Sequence, residues 1–281
     1  MPKGVIFDIK EFALYDGPGV RQTVFFKGCP LRCVWCHNPE GLSPKPELAV
    51  ARASCTSCGK CMTICPQKTC TLCGSCISLC PLSLRKILGE EITAEALAER
   101  LLSHKDYYAL LEGGVTFSGG EPLLQHSFLF DVLDRIQGTH RAVETSAYCS
   151  EEIFRGLLSR CELVIMDIKL TDPVLHKAYT GVDNAQILQN YRILKEGGFP
   201  HIIRMPVIPE VNDTEDNAKA LAALLTDDPS LIRLELLPYH KTAGAKYQNV
   251  GRVYAPTFDT DKAPIIHREI FEKEKIRYKV L

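Results

Sequence analysis

No uninterrupted apolar stretch in this 281-residue chain approaches the roughly 20 residues that cross a bilayer as a helix. The opening, MPKGVIFDIK, has no apolar run long enough for a secretory signal. Neither sign of charge predominates: 33 Lys and Arg face 34 Asp and Glu, a formal net charge of -1. Near-neutrality gives no support for a nucleic-acid or membrane-surface partner. Together these absences lead us to expect a cytoplasmic protein, in a compartment where thiols stay reduced. The remaining composition, 46% apolar and 24% charged, is that of an ordinary globular chain with one sizeable core and a small extra module. Cysteine is what the chain has in excess. Of thirteen cysteines, eleven lie between Cys29 and Cys80, and crowding of that kind in a reducing compartment points to metal or redox chemistry.

Cys29, Cys33 and Cys36 are spaced Cys-x3-Cys-x2-Cys. A [4Fe–4S] cluster takes four thiolates, so this loop would leave one iron without a protein ligand. An open coordination position marks a reaction site, as it does at catalytic zinc. Trp35, the one tryptophan in the chain, would set a flat apolar ring beside that iron, suited to stacking on a heterocycle. A zinc knuckle completed by His37 is the alternative that the triplet alone leaves open. A disulfide loop is disfavoured by the compartment.

Cys55, Cys58, Cys61 and Cys65 read C-x2-C-x2-C-x3-C-P with Pro66, and the pattern repeats as Cys70, Cys73, Cys76, Cys80 and Pro81. This is the bacterial ferredoxin run, in which the fourth cysteine of each run serves the other cluster. Carried over, Cys55, Cys58, Cys61 and Cys80 would hold one auxiliary cluster, and Cys70, Cys73, Cys76 and Cys65 the other. Gly59 and Gly74 fall at matching points, where the backbone must turn tightly. Only Pro66 to Thr69 link the runs, a reach of about 17 Å with the flanking bonds. The hairpins that brace such modules are expected to be missing. Fully ligated clusters of this kind transfer electrons rather than bind substrate. Cys149 and Cys161 stand alone and read as core or surface thiols rather than ligands.

Gln22 to Lys27 reads as a strand delivering the chain to Cys29. Pro44 and Pro46 mark a boundary, and the cysteine-rich segment is expected to form an inserted module over 47–88, with the main domain made of 1–46 and 89–281. Beyond it, strand and helix alternate. Helices are expected over Thr93–Leu111, Leu123–Ile136, Glu151–Leu158, Asp172–Tyr179, Ala185–Lys195 and Glu215–Leu225. Strands are expected at Val115–Ser118, His140–Thr145, Leu163–Ile168, His201–Val207, Leu231–Leu237 and Lys275–Val280. Continuous apolar strands between helices imply a parallel α/β sheet. The count falls short of a closed eight-stranded barrel, and active residues are expected at the carboxyl ends of the strands.

Candidate residues do fall there. Gly119, Gly120 and Glu121 follow Val115–Ser118; paired glycines allow close backbone approach, and Glu121 can accept from an ammonium. Glu144 ends the next strand. Asp167 and Lys169 end another, and either a ligand or a plain salt bridge would explain that pair. Arg204 and His240 close two more.

The Cys-x3-Cys-x-aromatic-Cys loop and GGE resemble the radical S-adenosylmethionine (SAM) enzymes. DGPGVRQTVFFKGCPLRCVWCHNPE, VTFSGGEPLLQ, MDIK, HKAYTG, RMPVIPEVND and LLPYHKTAGAKY resemble, in order, glycyl-radical enzyme activating proteins, in their longer form with a ferredoxin-like insertion. The resemblance implies a partial (β/α)6 barrel and reductive cleavage of SAM to a 5′-deoxyadenosyl radical. That radical would take a hydrogen from a backbone glycine of a partner enzyme. It implies that Glu121 receives the methionyl ammonium, that Lys169, Arg204 and His240 position SAM, and that Trp35 packs the adenine. A monovalent cation near Glu144 and Asp167 is a further implication, with Glu144 longer than the usual Asp. The Asp16–Gly19 loop, where Pro18 and the glycines fix an unusual backbone path, would either meet the partner or form a plain structural turn. The eight cysteines of the insertion lead us to expect electron relay from a flavodoxin or ferredoxin. The alternatives are a radical SAM enzyme acting on a small molecule and a polyferredoxin carrier.

Overall fold

The computed structural model describes residues 2–65 and 70–281, so Pro66 and the link to Thr69 lie outside the described residues. Apolar runs become strands β1 (Lys3–Ala13), β2 (Arg21–Phe26), β3 (Glu47–Val50), β4 (Arg85–Leu88), β5 (Glu90–Thr93), β6 (Gly114–Gly119), β7 (Arg141–Thr145), β8 (Leu163–Asp167), β9 (His201–Val207), β10 (Leu231–Pro238) and β11 (Tyr278–Val280). Nine of them form one sheet in the order β11-β10-β9-β8-β7-β6-β2-β1-β5. From β2 to β11 every neighbouring pair is parallel. β1 and β5 extend the sheet in antiparallel fashion. The two edges are not paired with each other among the described residues. The parallel sheet is the one that the alternation of elements implied, and its open, partial barrel is the one that the resemblance implied. β2 and β6 to β10 are its six barrel strands, and β11 adds a seventh parallel one.

β6 to β9 are buried almost throughout because helices cover the sheet. Phe117, Val143, Val164 and Ile203 of the strands share one core with Leu129, Phe154, Leu194 and Leu221 of the helices. The helices Glu151–Leu158, Pro173–Thr180 and Glu215–Leu225 start where a side chain satisfies an orphan N–H: Ser150, Asp172 and Thr214 accept from Ile153, Leu175 and Asn217. Three elements differ from expectation by more than a terminal residue or two: the helix expected over Leu123–Ile136 is a 3-10 turn at Pro122–Gln125 followed by an α-helix over His126–Arg135. The helix expected over Thr93–Leu111 is two, Ala94–Leu102 and Lys105–Leu110, because Ser103 turns its hydroxyl back onto Arg100 O and His104 leaves helical geometry (φ -120°, ψ 15°). The last strand begins at Tyr278 rather than Lys275, whose φ of 56° is incompatible with a strand.

The cysteine-rich segment leaves the main sheet at β3 and returns at β4. These two strands pair antiparallel from Glu47↔Leu88 to Val50↔Arg85. The brace expected to be missing is therefore present, as a two-stranded stem at the base of the segment. Inside it the backbone repeats: Ser57 and Gly59 have φ of 56° and 75°, and Leu72 and Gly74 have 57° and 78°. Each glycine opens a four-residue helix, Lys60–Thr63 or Ser75–Ser78. Successive N–H groups turned to one side in this way form anion-binding concavities of the kind found at iron–sulfur sites.

Candidate active site at the carboxyl ends of the strands

The carboxyl ends of β2 and β6 to β10 surround a cavity of about 530 Å³, within the range of small-molecule sites. Cys29, Cys33 and Cys36 line it from the loop after β2. That loop is fastened to the helix Pro173–Thr180, with Arg32 N donating to Thr180 O (2.7 Å) and Val34 N to Tyr179 O (3.0 Å). It is also knitted to the end of β6: Gly120 N donates to Phe26 O and Glu121 N to Gly28 O, both at 2.8 Å. A Cβ on Gly120 would lie 2.2 Å from Gly28 O, so the strand end can approach the cysteine loop only without one.

Burial pushes the Cys29 and Cys33 thiols up to about 12 and also raises that of Cys36. Such thiols ionise when a bound metal compensates the charge. Lys169 also faces them. Burial opposes its charge, but Asp167, with Nζ 2.6 Å from Oδ2, and the Cys33 and Cys29 sulfurs hold its pKa above the usual value. Three thiols, a buried ammonium and a cavity fit a [4Fe–4S] cluster with room beside it. Among the described residues no three His, Cys, Asp or Glu side chains are grouped as ligands of one metal ion; a cubane instead takes each thiolate on a different iron.

Gly119, Gly120, Glu144, Asp167, Lys169, Arg204, Trp35 and His240 all line the same cavity. Trp35 does so from within an apolar cluster of Leu170, Ile208, Val211, Tyr239 and Phe258. His37, the zinc alternative, stacks on His240 with centroids 4.1 Å apart. Burial, His240 and Lys246 push its pKa down to about 4.

Glu121 has a different place from the one expected. It is not among the cavity-lining residues and is 1% exposed. Its carboxylate accepts from Thr145 Oγ1 (2.6 Å), Ser146 Oγ (2.6 Å), Ser146 N (2.9 Å) and Leu123 N (3.1 Å). Those four donors, all from this chain, tie the end of β7 to the turn after β6. The cation expected beside Glu144 is answered similarly. Ser118 Oγ donates to Glu144 Oε2 (2.6 Å) and Arg204 Nη1 to Oε1 (2.7 Å). Burial works against the Glu144 carboxylate, yet Arg204 and Ser118 hold it below the usual range. The guanidinium thus supplies the positive charge that a cation would bring. Arg204 Nε also donates to Glu235 Oε2 (2.7 Å), and Nη2 to Tyr15 O. That last bond, with Thr23 Oγ1 on Asp16 Oδ2 (2.7 Å) and Thr116 Oγ1 on Asp16 O (2.6 Å), pins Tyr15 and Asp16 at the cavity wall. Ser118, Ser146, Tyr15 and Tyr239 were not singled out from sequence. Small hydroxyls at a strand end, Ser118 within the last residues of β6 and Ser146 just past β7, were the available signal for the two serines.

In the insertion, Cys55, Cys58, Cys61 and Cys80 line one cavity of about 250 Å³. These are the four cysteines that crossing of the two runs would group together. Leu84 N donates to Cys80 Sγ (3.4 Å) and holds that thiol below its usual value, with Leu82 N assisting. Cys70 lines a neighbouring cleft, Cys73 lies 3.5 Å from Ser75 Oγ, and Cys76 receives Arg85 Nη1 (3.6 Å). Cys65 ends the described part of its run. Cys149 is half-buried and Cys161 buried, in or against the main core, as expected of core thiols.

The family described as a 4Fe–4S single cluster domain matches residues 15–188. The chain is 36% identical over 276 residues to the (2S)-3-sulfopropanediol dehydratase activating enzyme of Klebsiella oxytoca, covering 90% of this chain and 87% of that one. This chain belongs to the glycyl-radical enzyme activating enzymes. The choline trimethylamine-lyase activating enzyme of Oleidesulfovibrio alaskensis is 35% identical over 274 residues, 90% of this chain and 88% of that one. A radical SAM methyltransferase from Sphaerobacter thermophilus shares the fold, with a TM-score of 0.54 at 15% identity over 100% of this chain and 76% of that one. Membership of that family makes this activase a radical SAM oxidoreductase with a [4Fe–4S] cluster and SAM as its cofactors. It cleaves SAM reductively and removes a hydrogen from a backbone glycine of a glycyl-radical enzyme. Among the described residues no helix is long and apolar enough to cross a membrane.

Proposed function

We propose the following division of labour within this activase. Cys29, Cys33 and Cys36 hold the reactive cluster and leave one iron for SAM. That cluster, when bound, supplies the electron that splits the sulfonium into methionine and a 5′-deoxyadenosyl radical. Lys169 neutralises the methionyl carboxylate, and Asp167 and Glu144 accept from the amino group and ribose hydroxyls. Gly119 and Gly120 keep the strand end clear of side chains. Trp35 offers its ring to the adenine, with His240 at the rim. Arg204 keeps Glu144 ionised and fixes the Tyr15–Asp16 turn, past which the partner's glycine loop enters. Glu121 positions Ser146 rather than contacting SAM. The observation that carries this reading is the buried Lys169 ammonium facing cysteine thiols in a cavity ringed by strand ends.

The inserted module, 47–88, holds two further clusters and passes electrons inward from a flavodoxin or ferredoxin. Support comes from the crossed set Cys55, Cys58, Cys61 and Cys80 around one cavity. The test is anaerobic reconstitution with iron and sulfide, reduction, addition of SAM and assay of 5′-deoxyadenosine, with iron counted in parallel. Product from the wild type and none from a Cys29/Cys33/Cys36→Ala variant, whose iron falls from three clusters to two, is the expected result. Product from that variant would remove the triplet from the chemistry. Replacing Cys58 is expected to slow turnover driven by flavodoxin but not by a chemical reductant; equal slowing with both would leave the module a structural role.

A further inference from the structure

Segment 47–88 carries five basic residues, Arg52, Lys60, Lys68, Arg85 and Lys86, against the single acid Glu47. In a thiolate-bound [4Fe–4S] cluster the four sulfur charges outweigh the core, so a module built on two of them is rich in negative charge. Arg52 turns away toward the barrel, donating from Nε to Gln248 O (3.0 Å). Arg85 turns inward. It lies on β4 opposite Val50 and lines both the 250 Å³ cavity of Cys55, Cys58, Cys61 and Cys80 and the neighbouring 450 Å³ cleft that includes Cys70. Its Nη1 donates to Cys76 Sγ at 3.6 Å, a separation suited to a sulfur acceptor, and Arg85 shares the lining of the 250 Å³ cavity with Cys61. Cys61 and Cys76 are equivalent positions of the two runs and belong to different ligand sets.

We propose that Arg85 is a shared potential-setting residue, one guanidinium at the junction of the two auxiliary clusters that donates hydrogen bonds to a ligand sulfur of each. This rests on the reading that both clusters assemble. Hydrogen bonds to the sulfurs and local charge set cluster potentials. Reduction adds negative charge, so a fixed cation with N–H groups aimed at the sulfurs favours the reduced state of both. The planar fork of arginine can reach two acceptors at once, which a lysine ammonium does less well. Because Arg85 sits on a paired strand rather than in the ligand loops, its guanidinium is held while the cysteines bind metal.

The test uses the full chain carrying Cys29/Cys33/Cys36→Ala, reconstituted anaerobically so that only the auxiliary clusters contribute. Iron is counted first, and then an EPR-monitored redox titration compares Arg85 with Arg85→Gln and Arg85→Lys. Arg85→Gln is expected to lower both midpoint potentials, each by on the order of a tenfold change in the reduction equilibrium, ~59 mV for one electron. Arg85→Lys is expected to fall between. With iron content unchanged, movement of one potential or of neither overturns the proposal. Loss of iron from both Arg85 variants also overturns it, making Arg85 an assembly residue. If the parent chain holds iron for fewer than two auxiliary clusters, the two-cluster reading falls and this proposal with it, and the iron count separates that failure from the others.

Discussion

The two cysteine-bearing regions solve opposite problems. In the strand-end cavity the thiols are enclosed, their pKa values driven up by burial, with Lys169 facing them. In the insertion the cysteines are exposed or half-exposed, and the thiols of Cys73 and Cys80 are held below the usual value by neighbouring hydroxyl and N–H donors. A radical must be kept from water, so its site is walled by packed strands. In the carrier role proposed for the module a protein donor must reach it, and exposed cysteines suit that role. The comparison teaches that similar cysteine spacings acquire different chemistry from the packing around them.

The largest test of this contrast is the Cys29/Cys33/Cys36→Ala chain. It is expected to lose 5′-deoxyadenosine production entirely while the module keeps its iron; parallel loss of iron in both regions would make them one assembly unit. Next comes Gly120→Ala, whose Cβ would meet backbone oxygens of Gly28 and Gly41 at 2.2 and 2.5 Å. It is expected to pull the end of β6 from the cysteine loop and abolish SAM-dependent activity, with auxiliary iron retained.

Arg204→Leu leaves the half-buried Glu144 without a guanidinium and the buried Glu235 with that of Arg233 alone. Breaking such a pair costs about 3–5 kcal/mol, read as a large fall in Tm by scanning calorimetry, with no change in the module's spectrum. Glu121→Gln presents an amide to N–H and hydroxyl donors, and is expected to cost about 1–3 kcal/mol. SAM affinity should change little. A tenfold rise in KM for SAM at unchanged Tm would restore Glu121 to the ammonium site. The smallest effect is expected from Gly59→Ala in the module. Nothing lies within 4 Å of the added Cβ, so only the φ of 75° resists it, about 1–2 kcal/mol of local strain. If Gly59→Ala proves as damaging as Gly120→Ala, the module is as tightly packed as the barrel, and the comparison fails.

Much of this was legible along the chain. Strands at 201–207 and helices at 151–158 and 215–225 are where apolar periodicity and capping residues put them, because those signals are local. The break at Ser103–His104 was not, since one hydroxyl turning back on Arg100 O interrupts an otherwise helical pattern. Cavity-lining residues at strand ends were found through motif and spacing. The burial of Glu121 among hydroxyl donors was not legible because its partners, Thr145 and Ser146, are about 25 residues away and only parallel pairing of β6 and β7 brings them near.

The sequence by itself determined the metal chemistry, since ligand type and spacing are properties of a short loop, and with it the α/β alternation. Tertiary structure decided which charges meet. Arg204, Glu144, Glu235 and Asp16 come from four separate stretches of chain, and it is burial between adjacent strands that makes their pairing strong. The stem of β3 and β4 was decided there too: four-residue strands separated by 34 residues carry no periodic signal, and they form because the barrel on either side brings their ends together.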